Sequence, residues 1–296
     1  MIHSLSFLLG LLIFSGCQSV SPPQTQPSRS LAIHGHRGSR GTHPENTMSA
    51  FNEALEAQAD WIELDLVLSK DNFPIVSHDP VVSTDLCLDS RKRPINRAIP
   101  IKTLTLNQLK QFDCGSVPNP KFPEQKTVAN QSLPTLEEVL VWADKHSGKG
   151  VKLNIELKMK SPKKVWEPKP KLFVDSVIKL LRKYNRIEKS VLQSFDPRVL
   201  KEAKLQEPRL KLSALFEKPE AFCQSAKDQG VAIASPEFSL LTLELVRECH
   251  ALGIEVHPWT LNSEAEWKRA KEMGVDGIIT DYPRKLRQYL NSVNPS

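Results

Sequence analysis

The chain has 296 residues, 40% of them hydrophobic and 25% charged, and a formal net charge of +6. That is enough apolar material for a large core, so disulfides are not needed to make it fold. The mild basic excess comes with no zinc-finger spacing, RNA-binding signature or basic heptad run, which argues against nucleic acid as a partner. Much of it sits in Lys158, Lys160, Lys163, Lys164, Lys169 and Lys171, crowded among prolines as on a solvated loop or helix face.

The apolar run Leu5 to Phe14 is too short to cross a bilayer, which takes about 20 residues. It ends in Phe14-Ser15-Gly16-Cys17, and a polar, Pro-rich stretch follows from Gln18 to Ser30. Residues 1–16 therefore read as a secretory signal peptide. The Gly-Cys ending resembles a bacterial lipobox. The resemblance implies lipid on Cys17, residues 17–30 as a flexible membrane tether, and an exported lipoprotein. Gln18 after the cysteine points to the periplasmic side of the outer membrane in a Gram-negative host. Plain secretion and an uncleaved N-terminal anchor are the alternatives.

From Leu31 onward, short β-rich runs alternate with helical patterns, the signal for βα units and a parallel sheet. Strands are expected at Leu31–His36, Trp61–Leu66, Val151–Leu157, Val191–Phe195, Leu210–Phe216, Val231–Ala234, Ile254–Trp259 and Gly277–Thr280. Amphipathic helices, such as Thr47–Gln58, Leu136–His146, Leu172–Asn185, Leu241–Leu252 and Ala265–Met273, lie between them. Eight strands so spaced predict a single (β/α)8 (TIM) barrel over residues 31–290. An open doubly wound sheet would want a GxGxxG first turn, and none is present. Residues 81–133 break the alternation with five prolines and one expected helix, Thr105–Phe112. They read as an insertion after the second barrel strand, with little core of its own, placed over the active site.

Chemistry concentrates in three clusters. His34-Gly35-His36-Arg37-Gly38, followed by His43-Pro44-Glu45-Asn46-Thr47, ends the first strand, with Asn46 or Thr47 capping the helix after it. Glu63 and Asp65 share one face of the second strand by the period-two rule. Asn154-Ile155-Glu156-Leu157-Lys158 adds a carboxylate and an amine on the next. Carboxylates aimed into a barrel are costly unless something positive holds them, and a hard divalent cation is the natural solution. His78 follows a short apolar run, Pro74-Ile75-Val76. All of these fall at or just after the C-terminal ends of neighbouring strands, where such barrels keep their active sites.

The ordered set His36-Arg37-Gly38, Pro44-Glu45-Asn46-Thr47, Glu63-Leu64-Asp65, Lys70-Asp71, His78-Asp79, Leu133-Pro134-Thr135-Leu136, Asn154-Ile155-Glu156-Leu157-Lys158, Ser194-Phe195-Asp196, Pro258-Trp259-Thr260 and Asp276-Gly277-Ile278-Ile279-Thr280-Asp281 resembles the glycerophosphodiester phosphodiesterase family. The resemblance spans residues 32–290. It implies metal-dependent hydrolysis of a small glycerophosphodiester to glycerol 3-phosphate and an alcohol. It also implies His36 and His78 as the acid–base pair, and Glu63, Asp65 and Glu156 as ligands of one Ca2+ or Mg2+ ion. Arg37 and Lys158 would contact the phosphate, Glu45 would support the site, and Gln193, Phe195 and Trp259 would wall the pocket. Asn72 stands where the family commonly has Gly, and Asn too tolerates a left-handed turn. His34 is a candidate for supporting the site, whereas His43, His146, His250 and His257 have no distinct role. Lysophospholipase D activity, a phospholipase C-like activity on phosphatidylinositol and a non-catalytic phosphodiester-binding lipoprotein are the competing readings.

Setting Cys17 aside leaves Cys87, Cys114, Cys223 and Cys249, an even number in a chain bound for an oxidising compartment. Three pairings are possible, of which Cys87–Cys114, closing the insertion on itself, with Cys223–Cys249, joining two successive outer helices, is favoured; four buried free thiols are the alternative.

Overall fold

The structure, a computed structural model, describes Met1 and residues 31–159, 167–218 and 221–293. The signal segment, Cys17, the tether and Lys160, Lys163 and Lys164 lie outside the described residues. Among the described residues, no helix is long and apolar enough to cross a membrane.

In chain order the strands are β1 (Ala32–Gly35), β2 (Trp61–Leu68), β3 (Pro74–Val76), β4 (Val81–Val82), β5 (Ile99–Pro100), β6 (Leu153–Leu157), β7 (Ser190–Ser194), β8 (Lys211–Phe216), β9 (Ile233–Pro236), β10 (Glu255–Val256) and β11 (Gly277–Thr280). The helices are α1 (Met48–Glu56), α2 (Leu106–Leu109), α3 (Leu136–Lys145), α4 (Pro170–Lys183), α5 (Pro197–Gln206), α6 (Phe222–Gln229), α7 (Leu243–Ala251), α8 (Glu264–Met273) and α9 (Pro283–Val293). Eight parallel strands run β10-β9-β8-β7-β6-β2-β1-β11. Backbone bonds from Asp276 N to Val256 O (3.0 Å), Ile279 N to Pro258 O (3.0 Å) and Leu261 N to Ile279 O (3.1 Å) stitch β11 to the β10 side. The result is the expected (β/α)8 barrel with an insertion after its second strand.

Local chemistry explains the elements. Thr47, rather than Asn46, caps α1 by accepting from Ala50 N, and Thr135 and Ser263 form capping boxes with Glu138 and Glu266. The strand residues that face away from the barrel axis, such as Leu64, Ile155 and Leu192, bury against the helices in one large apolar cluster. The expected strand Ile254–Trp259 shrinks to two residues, because its partner across the seam is met only through the three bonds above.

The insertion is less bare than its sequence suggests. β2 does not stop at Leu66. It turns at Ser69–Phe73 and returns as β3 in antiparallel register, with Val67 opposite Ile75. Asn72 takes the left-handed conformation there, with φ +63°. Val67, Ile75, Val82, Ile95, Ile101, Leu109 and Leu133 then form a second apolar cluster around the Cys87–Cys114 disulfide. The expectation of little core fails because β2 and β3 lend it apolar side chains that a segment-by-segment reading assigns elsewhere. The Cys223–Cys249 bond also forms, between α6 and α7, with α-carbons 4.8 Å apart.

Candidate active site

At the C-terminal ends of the strands lies a cavity of about 900 Å³. His36, Arg37, Glu63, His78, Glu156, Lys158, Gln193, Phe195 and Trp259 line it. Glu63 faces it from β2 and Glu156 from β6, and Asp65, two residues beyond Glu63 on β2, is paired to Glu156 across the sheet. One carboxylate oxygen from each of the three lies within 4.8 Å of the others, and all three residues are buried.

The loop after β1 folds tightly around this cluster. Arg37 sits at φ +50°, a conformation that costs an ordinary residue of order 1–3 kcal/mol. In return its backbone N–H donates to Glu63 Oε2 at 2.7 Å while its guanidinium reaches Glu45 Oε1 at 2.7 Å. Gly38 follows at φ +83°, and a Cβ there would come within 2.6 Å of the Ala50 backbone. Asn46, also left-handed, donates Nδ2–H to Asp65 Oδ2 at 2.8 Å. Glu45 thus holds Arg37, and Arg37 and Asn46 hold the carboxylates.

Electrostatics follow from this packing. Burial, together with Asp65 beside it, pushes the Glu63 carboxyl well above its usual range. Burial pushes Glu156 up as well, against Lys158. Asp65 goes the other way: Lys158 and Arg37 outweigh its burial and hold it well below the usual range. Lys158 Nζ lies 2.8 Å from Glu156 Oε1 and 3.2 Å from Asp65 Oδ1. Two polar atoms remain buried without a hydrogen bond here, Asp65 Oδ1 and Arg37 Nε. An all-oxygen cluster in which Glu63 and Glu156 are held toward protonation fits a hard divalent cation. An unspent guanidinium N–H beside it fits an anion.

The two histidines arrive differently. His36 is half-buried, and its Nδ1 lies 2.7 Å from Asp281 Oδ1 just past β11. Burial, opposed by Asp281, brings His36 down to about 4. His36 is therefore neutral, with Nδ1–H given to Asp281 and Nε2 left as its acceptor. Arg40 grips the same carboxylate with Nε and Nη2, both at 2.9 Å, and Asn262 donates to Oδ2 at 2.8 Å. His78 is half-exposed and comes from the β3 hairpin, where Ser77 N bonds Asp65 O at 3.0 Å. Its Nδ1 lies 2.8 Å from Asp79 Oδ1.

Phe195 and Trp259 meet edge to face, ring centres 5.7 Å apart, and Trp259 is fixed by a 2.8 Å bond from its indole to Ser235 O. Gln193 lines the cavity as expected, but its amide is spent on the acidic cluster, donating to Glu63 Oε1 at 3.0 Å. All eleven candidate residues are thus brought to one place. Sequence reasoning gave no role to Asp281, Arg40 or Asn262. The available signal was Asp281 standing one residue beyond the last strand.

A (β/α)8 barrel with acidic, basic and imidazole groups converging at its C-terminal mouth is the architecture of an enzyme site. The chain belongs to the glycerophosphoryl diester phosphodiesterase family, whose model matches residues 36–285. It is 32% identical over 260 residues to a glycerophosphodiester phosphodiesterase of Caldanaerobacter subterraneus, covering 86% of this chain and 95% of that one. A Bacillus subtilis glycerophosphodiester phosphodiesterase is 32% identical over 266 residues, covering 87% and 85% of the two. Among solved structures, a Silicibacter pomeroyi protein assigned as a glycerophosphoryl diester phosphodiesterase superposes with a TM-score of 0.85 at 29% identity, covering 90% of this chain and 95% of that one.

Proposed function

We propose that this chain hydrolyses small glycerophosphodiesters to glycerol 3-phosphate and an alcohol, with one divalent cation held by Glu63, Asp65 and Glu156. The observation that carries this reading is the convergence of three buried carboxylates with Arg37 and Lys158 in the cavity that His36 and His78 also line. The cation, Ca2+ or Mg2+ by its hard-oxygen donors, would supply Lewis-acid stabilisation of charge on the phosphoryl oxygens. Arg37 offers its unspent Nε–H, and Lys158 its ammonium, to the same developing charge. His36, neutral and oriented by Asp281, takes a proton at Nε2 from the nucleophile, which is water in the net hydrolysis. His78, on the opposite hairpin, returns a proton to the departing alkoxide. Phe195 and Trp259 wall the part of the cavity that receives the organic groups.

The decisive assay is release of glycerol 3-phosphate from glycerophosphocholine, with and without a chelator. Metal-restored turnover supports the reading, and full activity after exhaustive chelation overturns the cation's role. Cys17, residues 1–16 and the tether 17–30 complete the proposal as an exported lipoprotein anchored on the periplasmic side of the outer membrane. A Cys17→Ala protein that still fractionates wholly with membrane would replace the lipid with an uncleaved anchor.

A further inference from the structure

Beneath the acidic cluster, a line of polar side chains crosses the barrel interior to its opposite end. Gln193 Nε2 lies 3.0 Å from Glu63 Oε1, and Gln193 Oε1 lies 3.1 Å from Asn154 Nδ2. The same Asn154 nitrogen is 3.3 Å from His34 Nδ1. His34 Nε2 is 3.1 Å from His257 Nδ1, and His257 Nε2 is 3.4 Å from Glu255 Oε2. Glu255 opens β10 and meets Lys211, the first residue of β8, at 2.8 Å, so this end is the floor of the barrel. Gln193, Asn154, His34 and His257 are all buried, and His34 stacks flat on Trp61 with ring centres 5.6 Å apart.

Only one polarity satisfies this line. Facing Glu63 in the ionised form that a cation ligand takes, Gln193 must turn its N–H toward it, which leaves its carbonyl toward Asn154. Asn154 must then present Nδ2, whose second hydrogen goes to His34 Nδ1. His34 is thereby protonated at Nε2 and donates to His257 Nδ1, and His257, protonated at Nε2, donates to Glu255. Reversing the line would set an oxygen against Glu63 and a bare nitrogen against Glu255, costly in a buried site. Asn154 Oδ1, the atom this polarity leaves over, is indeed buried without a hydrogen-bond partner. Burial, with His257 and Lys211 nearby, holds His34 well below its ordinary value and hence neutral. The His257 hydrogen bond is the chief cause that brings Glu255 down to about 2.

We propose that His34 and His257 are positioning residues for the acidic cluster: their fixed tautomers lock Asn154 and Gln193 so that an amide N–H stays aimed at Glu63. The inference rests on the reading of Glu63, Asp65 and Glu156 as cation ligands. Partners of metal-binding carboxylates at one remove typically contribute about 10–100-fold in metal affinity or activity. Here the support reaches across the barrel to a carboxylate on its floor.

Titration of the metal-stripped full chain with Mg2+ and with Ca2+, read by calorimetry, tests this. His34→Leu is expected to bind about 10-fold more weakly than wild type. His34→Asn, whose Oδ1 can replace Nδ1 as the acceptor for Asn154, should recover most of the loss. Equal affinity in folded His34→Leu overturns the inference alone, whereas a wild type that binds neither ion overturns the reading beneath it. Imidazole 15N–1H correlation spectra of the wild type at neutral pH require no variant to fold. Both rings should be neutral and protonated at Nε2, and an Nδ1–H ring or an imidazolium at either position would refute the proposed polarity.

Discussion

The two halves of the barrel do different work. β1, β2, β6 and the loops that follow them supply His36, Arg37, Glu63, Asp65, His78, Glu156 and Lys158, groups that touch one another or face one cavity wall. β7 and the segment after β10 supply Gln193, Phe195 and Trp259, which are neutral. Charge reappears on that side at Asp196, Arg198 and Glu217, whereas Glu167 follows β6 and Asp281, just past β11, stands behind His36. Grouping opposite charges on adjacent strands lets each offset the burial of the next. It also gives the cavity a polar wall for a phosphate and an apolar wall for organic groups.

The sharpest break of that contrast is loss of an imidazole from the charged half. His36→Ala or His78→Ala should lower kcat about 10²–10⁴-fold with an unchanged melting profile. Near-normal turnover in either variant removes that residue from the chemistry. A smaller loss is expected for Asp281→Asn, on the order of 10²-fold, because His36 stays in place but loses the acceptor that fixes its Nδ1–H tautomer. The pH profile separates this from a structural defect. With His36 at about 4, the acid limb of kcat/KM should fall near pH 4 rather than near 6.5. Asp281 opposes that lowering, so its removal should move the limb lower still.

The sign for stability follows from the same shift. The folded state holds His36 neutral at a pH where the unfolded chain would protonate it. Its contribution is complete above about pH 6.5, the ordinary histidine value, and declines as the pH falls. It is gone below about 4, and denaturant melts across that window would show it.

On the neutral half, Phe195→Ala or Trp259→Ala should act mainly on KM, by about 10-fold, the worth of roughly 1.5 kcal/mol of apolar contact. A collapse of kcat with unchanged KM would mean that the aromatic wall takes part in the reaction itself. The smallest kinetic effect is expected at the outer helices. Removing Cys223–Cys249, which closes 26 residues, should cost about 3.5 kcal/mol of stability by chain entropy while leaving kcat unaltered. Removing Cys87–Cys114 should cost a similar amount, but that bond lies in the insertion that directly follows His78 to Pro80, which line the cavity. Kinetics that change there and not at Cys223–Cys249 would confirm that the two disulfides serve different regions.

The sequence by itself determined the alternation of strands and helices, the inward faces of Glu63, Asp65 and Glu156, and the ordered motifs that carry the family. These are properties of period, cap and spacing, set over a few residues at a time. It favoured the cysteine pairs without deciding them, since four cysteines allow three pairings or none, and the bonds are read from the structure. What it did not contain was any relation between residues far apart in the chain that depends on where a barrel closes. Asp281 bonds His36 across 245 positions, and His257 bonds His34 across 223, only because β11 comes round to pair with β1 and the β10 segment closes against β11. A histidine near a strand end reads the same whether its neighbour is solvent or a second imidazole. The insertion's core was hidden likewise, since Val67 and Ile75 look like barrel residues until β2 turns back on itself. Local periodicity decides which face a side chain takes, and closure of the barrel decides what that face meets.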